Sequence, residues 1–507
     1  MQNRIRILAT TDIHGHIYPY RYHDGLSAYH GLARLKTAID QFRDENTILV
    51  DNGDVLQGSS LQFYHYTVHQ DDLSPVTRCM NLLQYDYVSI GNHDFDYGEP
   101  ALLAHLSGLR APCITNNVIY RGEPLCPTYV IHEAAGKKIA LFGIVTHYVK
   151  NWEKKQNVKH FSFKDAYLSA VKTVDLIRTL EKPDYIIALY HGGFERDVNT
   201  GLPIDDELTD ENQAYKMIRQ IPGLDVLIMG HTHSTRCGTA FGTAYVQAGK
   251  YGESLACIDI YTDTGVIEPR VFKVDTEPDE AVMDLVKEEE DACQTWLDTP
   301  LGTCGIDLSI TDQTEARLHK SQVATFINRI MLEATGADLA STPLFNRTTG
   351  FRRDITMRDL VSTYRYENSL VVKKLTGREL RAYLERTAKF WSVDGGQIVI
   401  NPRYLTPKLK LYYYDMIDGI DYTINVSNDP GQRITELTYQ GQEVRDDIEF
   451  TICVSSFRAS GGGHYLMIKN APTVKELRTG IVDLIALWIM NHQVIEFEPV
   501  NNIHIVR

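Results

Sequence analysis

The sequence has no uninterrupted apolar run of about 18 residues, the length that a membrane-spanning helix requires. It also lacks an excess of positive charge, since the formal net charge is −15 at pH 7. Proteins that bind duplex nucleic acid need a basic face to replace counterions, so this class is excluded. A small anionic substrate is not excluded, because a metal ion can supply local positive charge. We therefore expect no membrane partner and no duplex nucleic acid, and the oligomeric state stays open.

The eight cysteines are scattered along the chain and include no Cys-x-x-Cys pair. Scattered cysteines in a large chain are typical of reduced thiols. Near the amino terminus, Arg4 and Arg6 interrupt what could be the apolar region of a signal peptide, and a strand pattern begins at once. We therefore expect a cytoplasmic protein, and secretion would require a signal peptide that has been removed.

Short apolar runs alternate with helical patterns in the first half of the chain. Each run ends in polar residues, and the runs are RIRILATTD, NTILVDNGD, YDYVSIGNHD, KKIALFGIVTH, PDYIIALYHGG and LDVLIMGHTHS. Helical patterns such as GLARLKTAIDQFRDE lie between several of them. This alternation predicts an α/β layered domain whose strands are buried on both faces. Ligands of such domains gather beyond the carboxyl ends of the strands.

The length of 507 residues predicts more than one domain. A strand-rich stretch ends near Val274, and we place the first domain at residues 1–275. An acidic helical pattern predicts a linking helix over residues 276–300, with a peripheral helix of the first domain as the alternative. Residues 301–507 form the second domain, in which helical segments are followed by strands such as KLKLYYYD and IEFTICVSS.

Polar residues collect at five consecutive strand ends: Asp12-x-His14, Gly53-Asp54, Gly91-Asn92-His93-Asp94, His191-Gly192-Gly193 and Gly230-His231-x-His233. Each of these elements alone is a turn or a cap more often than a ligand. Together they offer carboxylate, imidazole and carboxamide groups, which suit Mn, Zn, Fe or Mg. The donors suffice for two ions if one carboxylate bridges, and a metal pair about 4 Å apart is the usual clamp for displacement at phosphorus. The absence of cysteine speaks against a structural zinc site.

In this order the motifs D-x-H, G-D, G-N-H-[DE], a later His and G-H-x-H resemble the signature of calcineurin-like metallophosphoesterases. GNHDFDYG and the second half resemble the 5′-nucleotidase family within that group. The resemblance implies an α/β fold with an amino-terminal layered β-sandwich flanked by helices and a carboxy-terminal α/β substrate domain. It implies two divalent metal ions, Mn, Zn or Fe. One site would use Asp12, His14, Asp54 and His233, and the other Asp54, Asn92, His191 and His231, with Asp54 as the bridge.

The same resemblance makes His93 the catalytic group that is not a metal ligand, with Asp96 orienting its imidazole. An imidazole there can stabilise developing charge or protonate the departing ribose oxygen near neutral pH. From the residues alone, Asp96 is equally compatible with a turn residue before Tyr97-Gly98. Asp94 is predicted to be structural.

The second half looks like the 2′,3′-cyclic-nucleotide 2′-phosphodiesterase/3′-nucleotidase branch, in the segments 412–415, 418–422 and 456–460. By that resemblance Tyr412 and Phe457 would sandwich the base, and a glycine run follows Phe457 closely. Tyr413 and Ser456 depart from the Asn residues of the branch. The Gly-Gly-Gly-Ile-Arg segment common in 5′-nucleotidases is absent, which favours the cyclic branch. Arg352 and Arg353 stand in that region, either as phosphate contacts or as surface charges.

The leading hypothesis is a two-metal phosphohydrolase that converts 2′,3′-cyclic nucleotides to 3′-nucleotides and these to nucleosides. The alternative in reaction class is a 5′-nucleotidase or nucleotide-sugar hydrolase. A third possibility is a non-catalytic nucleotide-binding protein, but a binder has no need of both the full ligand set and the His93–Asp96 pair. A purely structural metal protein is weaker still, because structural sites rarely need so many donors.

Overall fold

A computed structural model describes residues 4–68, 73–204, 208–366, 368–406 and 408–507 of the chain. Two compact units are present, Met1–Cys293 and Gln294–Arg507, and the division falls inside the predicted linking segment 276–300. Among the described residues, none of the helices has the length and apolar character needed to cross a membrane.

Two sheets pack face to face in the first unit. The five-stranded sheet contains, in spatial order, Val266–Lys273, Ser254–Tyr261, Arg4–Thr10, Thr47–Asp51 and Tyr87–Val88. The six-stranded sheet contains, again in spatial order, Thr235–Ala240, Thr243–Ala248, Val226–Met229, Tyr185–His191, Lys137–Val145 and Val130–Ala134. Their facing sides share one core of Ile, Val, Leu and Ala side chains. The layered α/β fold expected for the first half is therefore confirmed.

The strand Tyr185–His191 shows why the apolar runs carry no clear alternation. It pairs in parallel with Lys137–Val145 on one side and with Val226–Met229 on the other. Ile187 and its like-facing neighbours enter the core between the sheets, whereas Ala188 and its neighbours enter a second core beneath helices. Both faces are buried, as in parallel sheets covered on each side. Because these three strands are parallel, their carboxyl ends lie at the same edge of the sheet.

Helices cover the outer face of the six-stranded sheet, where Ala166–Leu180 and Ala214–Gln220 contribute to the second core. The helix Ala166–Leu180 begins at Asp165, whose side chain accepts a hydrogen bond from the Leu168 amide. The other helices of this unit are Leu32–Phe42, Ser60–Val68, Pro75–Leu83, Gly98–Gly108, Val149–Trp152 and Glu280–Asp284, with a 3₁₀ turn at His93–Phe95. A small sheet is formed by Glu123–Pro124, Val118–Tyr120 and Phe161–Phe163.

The segment predicted as one linking helix forms two helices, Glu280–Asp284 and Lys287–Leu297. The Asp279 side chain accepts from the Val282 amide at 3.0 Å and starts the first of them. Val282 is fully buried, and the Tyr22 hydroxyl donates to Glu290 at 2.7 Å. The amino-terminal part of the segment is thus attached to the first unit.

The second unit is built on two larger sheets. The five-stranded sheet contains Asp415–Asp418, Leu339–Pro343, Glu449–Ser455, Ser369–Thr376 and Thr473–Gly480, and the four-stranded sheet contains Gln442–Glu443, Ile434–Tyr439, Asp421–Asn425 and Ile503–Val506. Smaller sheets join Asp354–Thr356, Pro300–Cys304 and Val494–Ile495, then Leu308–Ser309 and Gly350–Phe351, and then Trp391–Asp394 and Gln397–Ile400. The helices are Glu315–Leu318, Gln322–Thr335, Met357–Thr363, Gly377–Ala388, Ser456–Ala459, Leu466–Asn470 and Ile481–His492, with 3₁₀ turns at Pro402–Tyr404 and Leu411–Tyr413.

The prediction of a strand for KLKLYYYD is wrong. Leu411–Tyr413 forms a 3₁₀ turn, and the strand begins only at Asp415. The Asn346 side chain donates to the Leu409 carbonyl at 2.8 Å and accepts from the Leu411 amide at 3.0 Å. These backbone groups bind a side chain from a distant loop, so they are not used in a ladder.

Candidate metal centre

Four of the predicted ligands form one cluster. Asp12, His14, Asp54 and His233 each offer one ligand atom, and these atoms all lie within 4.8 Å of one another. Asp12 and His14 follow the strand Arg4–Thr10, Asp54 follows Thr47–Asp51, and His233 follows Val226–Met229. Residues more than 200 positions apart in the sequence thus meet where the carboxyl ends of strands from both sheets come together.

The imidazole of His14 is held with one nitrogen toward this cluster. Its Nδ1 lies 2.8 Å from the Gln57 carbonyl oxygen, so Nδ1 carries the proton and donates it. Its Nε2 lies 3.1 Å from Nε2 of His233 and 3.8 Å from Oδ2 of Asp54. Burial lowers the pKa of His14 to about 3. The ring is therefore neutral, which is the form that binds a metal.

The Asp54 carboxylate also faces the second predicted ligand set. Its Oδ2 lies 3.1 Å from Nε2 of His191, whose Nδ1 lies 2.6 Å from the Asn52 carbonyl oxygen. Burial opposes a charge on His191, but the neighbouring Asp54 outweighs it and raises the pKa of this imidazole to about 9. The two remaining members of this set are adjacent, since Asn92 Oδ1 lies 2.7 Å from His231 Nδ1.

Two buried atoms between these groups fit a metal pair. Asp54 Oδ2 and His191 Nε2 face each other at 3.1 Å without the geometry of a hydrogen bond, and no other described residue forms a hydrogen bond with either atom. Leaving buried polar atoms unsatisfied is costly, and such atoms in folded proteins call for an explanation. Carboxylate, imidazole and carboxamide donors without thiolate suit divalent ions of the Mn, Zn and Fe type. The residues present therefore fit two divalent ions that share Asp54.

The backbone at the centre is unusual. Five residues have left-handed φ angles, 54°, 49°, 59°, 68° and 55°, for Asp12, His14, Asp54, His231 and His233 in that order. Residues other than glycine rarely adopt this conformation, and such strain is concentrated at functional sites. All five are predicted ligands, so the strain coincides with the centre.

Glycine is required where two strand-end loops touch. A Cβ on Gly53, whose φ is 87°, would lie 2.1 Å from the Gly91 nitrogen, and a Cβ on Gly91 would lie 2.2 Å from Asp54 Oδ1. A side chain at either position would separate the loops. The Gly-Asp and Gly-Asn-His-Asp motifs therefore need their glycines to bring Asp54 next to Asn92.

Asp94 binds backbone amides. Its Oδ2 accepts hydrogen bonds from Gly91 and Asp54 at 2.7 and 2.9 Å, and its Oδ1 from Val55 and Leu56 at 2.8 and 3.0 Å. The side chain is 2% exposed. Asp94 thus holds the two loops in register and has no position among the ligands.

His93 and Asp96 form a hydrogen-bonded pair. His93 Nδ1 lies 2.9 Å from Asp96 Oδ2, and the His93 ring centroid lies 5.5 Å from that of His14. The His93 side chain is 30% exposed, whereas its backbone amide donates to Asp54 Oδ1 at 2.7 Å. The imidazole therefore lies beside the ligand cluster and open to solvent, with its orientation set by a carboxylate.

A second carboxyl group lies behind this pair. Glu153 hydrogen-bonds the side chain of Asp96, and its removal from solvent together with the Asp96 charge raises the pKa of Glu153 to about 8. Asn157 Nδ2 donates to the Asp96 carbonyl oxygen at 2.8 Å and to Glu153 Oε1 at 2.9 Å. Sequence reasoning missed Glu153, and it also missed Glu211, whose Oε1 lies 2.8 Å from His231 Nε2. Both stand in polar loops that carry no motif.

In the second unit the predicted base-stacking rings are neighbours. The centroids of Tyr412 and Phe457 lie 6.2 Å apart, with an angle of 62° between the rings. Arg458, which is 2% exposed, donates to the Tyr412 carbonyl oxygen at 2.9 Å and to Asp415 at 2.7 Å. A buried arginine thus holds the Tyr412 carbonyl group and the Asp415 side chain next to the ring pair.

The two predicted phosphate contacts differ in their surroundings. Arg352 donates to Asp359 Oδ1 at 2.9 Å, and Asp359 also belongs to the capping box that starts the helix Met357–Thr363. Arg353 is exposed, and its carbonyl oxygen accepts from the Cys304 amide at 2.7 Å. Arg352 therefore already has a carboxylate partner.

Two family models match the chain. Residues 5–235 match the calcineurin-like phosphoesterase model, and residues 301–470 match the model of the 5′-nucleotidase C-terminal domain. The trifunctional nucleotide phosphoesterase YfkN of Bacillus subtilis is 27% identical over 92% of this chain and 36% of its own length. The chain therefore spans about a third of that relative.

Two further comparisons cover most of both chains. The 2′,3′-cyclic-nucleotide 2′-phosphodiesterase/3′-nucleotidase of Salmonella typhimurium is 26% identical over 90% of this chain and 81% of its own. A crystal structure of a Staphylococcus aureus protein assigned as a 5′-nucleotidase superposes with a TM-score of 0.93 at 28% identity, covering 99% of this chain and 100% of that one. Together with the Asp/His cluster, these findings identify the class of enzyme. The chain joins a calcineurin-like phosphoesterase domain to a 5′-nucleotidase C-terminal domain, and it is a metal-dependent phosphoester hydrolase.

Proposed function

We propose that this enzyme hydrolyses 2′,3′-cyclic nucleotides to 3′-nucleotides and these to nucleosides. One observation carries the hydrolytic part: the buried Asp54 carboxylate faces His14 on one side and His191 on the other, directly beside the His93–Asp96 pair. The substrate is supported by the name of the Salmonella relative and by the sequence segments around Tyr412 and Phe457.

The proposed ligand sets follow the two groups of side chains. One ion would be held by Asp12, His14, Asp54 and His233, and the other by Asp54, Asn92, His191 and His231. A bound pair of Mn, Zn or Fe ions would neutralise phosphoryl charge and activate water at neutral pH. Asp54 belongs to both sets, so its loss removes a donor from each.

His93 is the proposed acid. Its Nδ1 is engaged by Asp96, so Nε2 is the nitrogen that can hydrogen-bond a phosphoryl oxygen or give a proton to the departing ribose oxygen. Asp96 keeps the ring in this orientation through the contact with Nδ1. These roles explain why this imidazole is more exposed than those of the ligands.

The ring pair of Tyr412 and Phe457 is the proposed base-binding element. Aromatic rings stack on any nucleobase, and two rings can hold one between them. The present angle of 62° means that at least one ring must turn before a base can stack on both. Arg352 and Arg353 are proposed phosphate contacts, and Arg352 would share its guanidinium with Asp359 in that role.

Product analysis tests the substrate proposal. The purified chain, supplied with Mn, is given 2′,3′-cyclic AMP, 3′-AMP, 5′-AMP and a nucleotide sugar, and products are separated chromatographically. We expect the highest kcat/KM for the cyclic substrate, with 3′-AMP as its first product. A preference for 5′-AMP would overturn this assignment, and absence of turnover despite bound metal would favour a nucleotide-binding protein.

The second candidate is a 5′-nucleotidase or nucleotide-sugar hydrolase. The specific observation in its favour is the similarity to the Staphylococcus aureus structure over the whole of both chains. The same substrate panel separates the two candidates, since only the position of the phosphate differs between 3′-AMP and 5′-AMP. We also propose a cytoplasmic location on the scattered cysteines, and cell fractionation tests it.

A further inference from the structure

His231 is held on three sides. Its Nδ1 lies 2.7 Å from Asn92 Oδ1, and its Nε2 lies 2.8 Å from Glu211 Oε1. The Trp152 ring stacks on it, with centroids 5.4 Å apart and an angle of 18°. The residue is 6% exposed. Its ring therefore has one defined orientation.

Both nitrogens of His231 face an oxygen that accepts hydrogen bonds. A neutral imidazole carries one proton, so it can donate to only one of these oxygens. If the proton lies on Nε2 and is given to Glu211, then Nδ1 and Asn92 Oδ1 place two lone pairs next to each other. Two adjacent lone pairs are what a cation requires, and both atoms belong to the proposed second ligand set. The carboxylate of Glu211 thus selects the tautomer that leaves Nδ1 for a metal.

Glu211 itself is fixed by its backbone. The Thr146 hydroxyl donates to the Glu211 carbonyl oxygen at 2.6 Å, and the Tyr190 hydroxyl donates to it at 3.3 Å. Thr146 directly follows the strand Lys137–Val145, and Tyr190 lies within Tyr185–His191 and is fully buried. The loop that carries Glu211 is therefore tied to the same strand ends that carry the ligands.

We propose that Glu211 is a positioning residue for the second metal site: by accepting the Nε2 proton of His231, it orients Nδ1 of that ring toward the ion and toward Asn92. Trp152 supports the same orientation by stacking. This inference rests on the proposed function, since it requires that the second ligand set binds a metal. It does not require Glu211 to touch the ion or the substrate.

Metal binding tests the proposal without using activity. Mn²⁺ is titrated into the metal-free full-length chain, the stoichiometry and affinities are measured by calorimetry, and the spin-coupled Mn pair is followed by electron paramagnetic resonance. The variants are Glu211→Ala and Glu211→Gln. The matched control is Asp210→Asn, which removes the exposed neighbouring carboxylate.

Loss of a hydrogen-bond partner behind a metal-binding histidine typically lowers metal affinity by about 10- to 100-fold. We expect this loss in Glu211→Ala for the second ion only, together with a weaker spin-coupled signal at limiting Mn. Glu211→Gln keeps an acceptor oxygen and is expected to lose less, and Asp210→Asn is expected to bind both ions as the wild type does.

Two results would overturn the proposal. Wild-type affinity for both ions in Glu211→Ala would show that Glu211 does not position His231. An equal loss of affinity for both ions in that variant would show a general structural effect. Failure of the wild-type chain to bind a second ion would overturn the proposed function as well, so the two failures are distinguishable.

Discussion

Asp94 provides a test of the division between structural and catalytic residues in the loop after Tyr87–Val88. Its carboxylate accepts four backbone hydrogen bonds between 2.7 and 3.0 Å and is almost completely buried. The substitution Asp94→Asn keeps the size of the side chain but replaces one oxygen by an NH₂ group. Two of the four amides then face a donor and not an acceptor.

The expected loss in the free energy of unfolding follows from those two amides. A buried donor left without an acceptor costs about 1–3 kcal/mol, so we expect the free energy of unfolding to fall by about 2–6 kcal/mol. For a unit as large as Met1–Cys293, a change of 1 kcal/mol shifts the melting temperature by about 2 °C. The expected decrease in melting temperature of the first unit is therefore roughly 4–12 °C.

Differential scanning calorimetry in the presence of EDTA measures this decrease without any contribution from bound metal. Asp40→Asn is the matched control, because it makes the same chemical change in an exposed carboxylate that pairs with Lys36 across a helix turn. Such a surface pair contributes about 0–1 kcal/mol. If Asp94→Asn melts within 2 °C of the control, the four amide contacts do not hold the loops and the reasoning is refuted.

Three further predictions concern the neighbouring groups. His93→Ala is expected to lower kcat about 10²- to 10⁴-fold while both metal ions stay bound, as measured by steady-state kinetics and metal analysis. Glu153→Gln is expected to flatten the pH dependence of the melting temperature between pH 5 and pH 8. In the native protein Glu153 keeps its proton up to a pKa of about 8, against 4.5 normally, so unfolding releases a proton in this range and wild-type stability falls as the pH rises. Phe457→Ala removes stacking of about 1–3 kcal/mol and is expected to raise KM for nucleotides by roughly 5- to 150-fold, but to spare a small phosphodiester.

Each of these predictions has a contrary result. Loss of metal from His93→Ala would mean that His93 is a ligand and not the acid. A pH dependence of the Glu153→Gln variant as steep as that of the wild type would mean that Glu153 is not protonated behind Asp96. An equal effect of Phe457→Ala on nucleotides and on the small diester would place Phe457 outside base binding.

The parts of the structure that could be predicted are those governed by regular geometry. Parallel strands end at one edge of a sheet, so polar residues after consecutive strands, such as Asp12 and Asp54, were expected to meet, and the structure brings them together. The prediction of a strand at KLKLYYYD is wrong because Asn346, a residue more than 60 positions away, forms hydrogen bonds with the backbone of this segment. Glu153 and Glu211 could not be predicted for a similar reason: each lies in an aperiodic loop, and its contact with Asp96 or with His231 follows from the tertiary fold.

The loop from Gly91 to Asp96 concentrates different tasks in consecutive residues, and their side chains point to different partners. Asn92 faces His231, His93 faces solvent beside His14, Asp94 points inward to four amides, and Asp96 faces His93. The 3₁₀ turn His93–Phe95 makes this possible, because successive side chains on a tight helix diverge by about a third of a turn. The measurement that tests a substitution in this loop therefore depends on the partner that the replaced side chain faces. It is metal content for Asn92, kcat for His93 and melting temperature for Asp94. An activity assay alone would report the same loss for all three and would hide the distinction.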